Sequence, residues 1–109
     1  MPAETKVRAV LTTAPDPETA ATLARTLVNE RLAACVNVVP GAQSFYRWQG
    51  RVAEDAEVLL IIKTQEGLTE ALASRIKDLH PYDLPEVLVL AAVGGSATYL
   101  HWVESETTS

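Results

Sequence analysis

A chain of 109 residues with 48% apolar and 21% charged side chains suits one folding domain, residues 1–109, large enough to build a core without disulfides or metal. Its formal charge of −5 argues against nucleic acid as a partner, because that binding needs Lys and Arg to neutralise phosphates. No run approaches the eighteen or so apolar residues of a membrane span, the opening MPAETKVRAV lacks the apolar core of a secretory leader, and the single Cys35 cannot form an internal disulfide, so a cytoplasmic protein is expected.

Residues 6–13 (KVRAVLTT) read as a buried strand ended by Ala14-Pro15. Asp16 is a good N-cap, Pro17 suits the first helical position and Glu18 complements the helix dipole. From there Ala20, Leu23, Ala24, Leu27, Val28 and Leu32 recur at helical spacing and form one apolar face.

Residues 34–63 follow as two long strands folded back at Gln49-Gly50. Pro40-Gly41 interrupts the first arm, which places it at a sheet edge or a bulge. In the second arm Val58 to Ile62 are apolar on both faces, so that strand is expected to be central and covered on both sides. A dozen extended residues span about 40 Å, whereas a domain of this length has a radius of gyration near 13 Å. The hairpin outreaches its own domain, and Phe45, Tyr46 and Trp48 near its far end are read as anchors of an interface with further copies of the chain.

A second helix is expected over residues 66–79, with Leu68, Leu72, Ile76 and Leu79 on one face and Pro81 stopping it at His80. Tyr82-Asp83-Leu84-Pro85 is a turn, residues 86–93 (EVLVLAAV) the last strand, and residues 97–104 a short helix, with Tyr99 and Trp102 as its packing face and a fraying tail SETTS. The order βαββαβ plus a terminal helix predicts an α+β, ferredoxin-like sandwich, with both main helices on one face, the first and third strands central, and the second and fourth at the edges.

The candidate chemistry gathers in two places. His80, with Asp83 and Glu86 close by in HPYDLPE, offers an imidazole and two carboxylates to a divalent metal; the alternative is a structural histidine at the end of the helix. Asn37, Trp48, Lys63 and Tyr82 are the candidates for a ligand cleft. Asn37 needs a polar partner on an apolar strand, Lys63 either pairs with a carboxylate or captures a ligand, and the aromatics stack on a small molecule or anchor the oligomer. Glu57 is one of the charges adjoining strands. Cys35 reads as a core residue and His101 as a surface one.

The motifs RLAACVNVVPG (residues 31–41), SFYRWQG (44–50), Lys63-Thr64, HPYDLPE (80–86) and YLHW (99–102) resemble those of the CutA family of divalent-cation tolerance proteins across nearly the whole chain. The resemblance implies a homotrimer, similar in plan to PII-type signalling proteins, with ligand clefts between subunits and a role in tolerance of copper or other divalent cations, without an organic cofactor. For family members credited with copper binding it implies a cysteine of the first strand and two adjacent histidines as ligands; Thr12 and Leu79 stand at two of those positions, leaving His80.

Three other functions compete with this one. An acyl-phosphate hydrolase needs an anion cradle, and the loop Thr13-Ala-Pro-Asp-Pro has neither Arg nor a glycine-rich run. An RNA-binding sheet needs basic residues and strand aromatics that this acidic chain lacks in the right places. A signalling or scaffold trimer that binds a small molecule or anchors a partner protein is the alternative to a non-enzymatic, metal-binding trimer.

Overall fold

The computed structural model describes residues 5–107, in the order β1 (Val7–Ala14), α1 (Pro17–Asn29), β2 (Cys35–Trp48), β3 (Arg51–Gln65), a single 3-10 turn (Glu66–Leu68), α2 (Thr69–Leu79), β4 (Leu88–Ala91) and α3 (Ala97–Glu106). The expectations of no secretory leader and of a fraying tail fall in part on residues 1–4 and 108–109, which lie outside the described residues. The four strands form one antiparallel sheet in the order β2-β3-β1-β4, which is the predicted ferredoxin-like arrangement with β1 and β3 central.

Each helix forms where its sequence supplies both a start and a stripe. The Asp16 carboxylate accepts the Thr19 N–H at 2.7 Å, satisfying one of the free donors of the first turn, and Leu23 and Leu27 are buried one helical turn apart. The predicted stripe runs too far, since α1 ends at Asn29 and Arg31 adopts a positive φ of 61°. Val28 is consequently exposed, while Leu32 packs on the core after the chain has reversed. Leu72 and Ile76 of α2 join Leu23 and Leu27 over Val10, Ala14, Val58, Leu60 and Ile62, so both main helices cover the same sheet face.

The other face is covered only at one corner. There Gln65 donates to the Glu104 carbonyl and the Thr107 hydroxyl, holding α3 against the end of β3 with Val103 buried. Two expectations for this segment need correcting. The tail is helical to Glu106, with Thr107 buried, and Tyr99 and Trp102 stack on each other at 5.7 Å while half-exposed, leaving the packing to Val103. The last strand is also shorter than expected, because β4 pairs with β1 only from Leu88 to Ala91, downstream of Pro85, which has no N–H to give.

The hairpin turns at Gln49 and Gly50, both at positive φ, the geometry that matches the twist of two tightly joined strands. β1 pairs with β3 only as far as Val58, so residues 51–57 extend beyond the sheet body by about 23 Å with β2 as their sole strand partner. Leu59 and Ile61 are half-buried on the face opposite the helices, and no described residues of the chain supply a full cover for that side of β3.

Candidate functional site

A single extra residue in β2 decides which side chains meet at the site. Val39 pairs with Leu59 and Ala42 with Glu57, so three steps on β2 match two on β3, with the bulge at Pro40-Gly41 and Gly41 at φ 85°. Before the bulge the odd residues Cys35, Asn37 and Val39 share a face with Lys63, Ile61 and Leu59. Beyond it the even residues Ser44, Tyr46 and Trp48 share a face with Glu57 and Asp55. Tyr46 and Asp55 are thereby diagonal neighbours, and the Tyr46 hydroxyl donates to Asp55 Oδ2.

The opposite wall is the segment after α2. Pro81 ends the helix, and His80 caps it in extended backbone geometry with its ring turned toward β1. The Tyr82 N–H donates to His80 Nδ1 at 3.2 Å, so that nitrogen carries no proton, and Nε2–H donates to the Thr13 carbonyl at 2.6 Å. His80 is only 8% exposed, and its ring lies 4.6 Å from that of Tyr82. The Tyr82 hydroxyl then crosses to β3 and donates to Glu57 Oε2 at 2.8 Å.

Between the two walls lies an open cleft of about 700 Å³, lined by Phe45, Tyr46, Trp48, Glu57, Tyr82 and Glu86 among others, with Asp83 and Arg47 also on its border. Burial and the neighbouring Glu57 push the Tyr82 phenol well above its ordinary value, and the bond to Asp55 raises that of Tyr46. Burial at Tyr82 and the carboxylate partners at both sites act in the same direction, keeping the two hydroxyls protonated as donors.

The predicted residues therefore separate. Trp48 and Tyr82 line the cleft with Asp83 and Glu86, and Phe45 and Tyr46 line it too. Asn37 and Lys63 do not: they bond to each other on the uncovered sheet face, Lys63 Nζ donating to Asn37 Oδ1, in place of the carboxylate expected for Lys63. Cys35, opposite Lys63 in the register, is half-buried on that face, outside the core; burial, and to a lesser degree the nearby Cys35, raises the pKa of Tyr99. His101 is exposed, as expected.

The donors do not make a dedicated metal centre. Both His80 ring nitrogens already hold backbone partners, Thr12 lies fully buried among core residues, and among the described residues no group of three His, Cys, Asp or Glu side chains is placed to hold an ion. Glu57 is the cleft residue that sequence reasoning left among ordinary strand charges; the parity change at the bulge is the signal that singles it out.

The family model described as CutA1 divalent ion tolerance protein matches residues 8–106. A divalent-cation tolerance protein CutA from Thermus thermophilus is 51% identical over 98 residues, covering 90% of this chain and 95% of that protein. A CutA 1 protein of Oryza sativa, named as chloroplastic, is 49% identical over 90% of this chain, which spans 55% of that relative's length. The crystal structure of CutA from Xylella fastidiosa is similar with a TM-score of 0.93 at 41% identity, covering 95% of this chain and 100% of the other.

Proposed function

Given that the chain belongs to the CutA1 divalent ion tolerance family, we propose that it acts as a homotrimer that binds a cation without catalysing a reaction, at the cleft each chain forms between its hairpin tip and residues 81–86, with neighbouring subunits bordering it. The observation that carries this reading is that Glu57, Asp83 and Glu86 border one cleft and, among the described residues, none of them has a Lys or Arg ion-pair partner. Such a cleft attracts positive charge. Assembly is supported by the hairpin's overhang and by the half-covered sheet face with its exposed Leu88, Leu90 and Val39; the number three is what the family resemblance implies.

A divalent metal would be drawn to the carboxylates Asp83, Glu86 and Glu57 that border the cleft, although the three do not converge on one point as a ready ligand set, with copper the ion that the resemblance implies. His80 joins the proposed site by fixing the segment that carries Tyr82 and Asp83. The reading places the protein in the cytoplasm, where its thiol Cys35 stays reduced. Among the described residues no helix is long and apolar enough to cross a membrane.

Titration calorimetry with Cu(II) and Zn(II) tests the metal reading. Glu57→Gln combined with Asp83→Asn is expected to abolish the heat of binding, and isotherms matching the wild type would overturn it. A specific observation favours the second reading, a PII-like signalling or scaffold trimer that binds a small molecule: the cleft is far larger than an ion, and much of its lining is aromatic.

A further inference from the structure

We infer that the cleft between the hairpin tip and residues 81–86 takes a small organic ammonium cation with an apolar body, its positive charge against Glu57 and its carbon groups against Tyr46, Trp48 and Tyr82. This rests on the reading of the cleft as a cation site and names the class of cation.

Size is the first reason. A bare ion or a single water occupies roughly 30 Å³, whereas the cleft's 700 Å³ falls in the range of about 300 to 1,000 Å³ typical of sites for organic ligands. Composition is the second. Tyr46, Trp48 and Tyr82 are three of the six Phe, Trp and Tyr residues in the chain, and they meet at this one place from two separate segments. Trp48 is 47% exposed. Aromatic faces attract alkylated ammonium groups through their quadrupoles and supply no donor atoms to a metal.

Hydrogen bonding is the third reason. The Tyr46 and Tyr82 hydroxyls already donate to Asp55 and Glu57, which orients the rings and leaves their oxygens able only to accept, as from an ammonium N–H. Glu57 uses only Oε2 for Tyr82, so Oε1 is available to an ammonium N–H or to the positive charge of a quaternary centre. Among the described residues Arg47 is the one cation bordering the cleft, against Glu57, Asp83 and Glu86, so an anionic ligand meets net repulsion.

The test is calorimetry or tryptophan fluorescence on the full chain, with benzyltrimethylammonium, benzylamine and the uncharged benzyl alcohol as probes. The two charged probes are expected to bind at least tenfold more tightly than the alcohol, with benzyltrimethylammonium strongest if ring faces dominate and benzylamine strongest if Glu57 dominates. Glu57→Gln and Trp48→Leu are each expected to weaken the preferred cation about tenfold, while Arg25→Gln on the outer face of α1 leaves it unchanged. Circular dichroism and sedimentation of every variant separate loss of the site from loss of fold or assembly. Equal binding of alcohol and cations, or cation binding indifferent to both cleft variants, overturns the inference. If the metals bind in a Glu57-dependent way and neither ammonium probe does, the cleft remains a cation site and the organic class is wrong.

Discussion

Replacing His80 with alanine separates a supporting role from a ligating one. The imidazole joins the Thr13 carbonyl on β1 to the Tyr82 N–H at the start of the cleft wall, and it is almost fully buried. His80→Ala removes both hydrogen bonds at about 1 kcal/mol net each, and leaving the Thr13 carbonyl and Tyr82 amide without a partner adds part of a further 1 to 3 kcal/mol. A loss of about 2 to 4 kcal/mol is therefore expected, visible in urea as a midpoint lower by roughly 1 M or more. His80→Gln, whose amide can both donate and accept, is expected to recover part of it. Hydrogen exchange gives a local readout, because the Tyr82 amide should lose protection before those of β1 and β3. A variant within about 0.5 kcal/mol of wild type, with Tyr82 exchange unchanged, would refute the bridging role.

Three other expectations follow from the same structure. Thr12 Oγ1 is buried without a hydrogen-bond partner, so Thr12→Val should raise stability by about 1 kcal/mol in denaturant melts, and a loss would mean that the hydroxyl is satisfied in solution. The pKa of Asp16 is lowered mainly by the Thr19 N–H, and that of Glu30 by Arg75, so both favour the fold above their ordinary values of 3.8 and 4.5 and lose that contribution as pH falls through the lower folded-state values. Asp16→Ala with Glu30→Gln should thus flatten the acid limb of a stability profile, and an unchanged limb would assign it to other groups. Tyr46, Tyr82 and Tyr99 all ionise above their ordinary 10.0, favouring the fold below that pH and losing the contribution as pH rises through the folded values. Ultraviolet titration should show late phenolate formation, with Glu57→Gln advancing the Tyr82 step; no advance would separate Tyr82 from Glu57.

Much of the fold was legible because its signals are local. Asp16-Pro17 announces a helix start, Gln49-Gly50 a turn at positive φ, and Pro40-Gly41 a break that only an edge strand tolerates. The end of α1 was harder to read, since its apolar spacing continues to Leu32 and Arg31 is a residue seldom found at positive φ. At the site, sequence spacing brought Trp48, Tyr82, Asp83 and Glu86 forward but grouped Asn37 and Lys63 with them, because it carries no register. Only the pairing shows that Lys63 lies diagonally from Asn37, and that one inserted residue turns Tyr46 and Trp48 toward Glu57. His80 stood out for its chemistry, and the fold uses its two nitrogens as a brace between β1 and the cleft wall.

The trimer reading depends on the hairpin arm and the uncovered sheet face finding cover against other copies of the same chain. Sedimentation equilibrium at micromolar concentration measures this most directly: the account predicts a single species at three times the chain mass of 11.8 kDa, about 35 kDa. A folded species at 11.8 kDa that persists on concentration would contradict it, since the protruding arm and the apolar sheet face with Leu88, Leu90 and Val39 would then be stable in water alone.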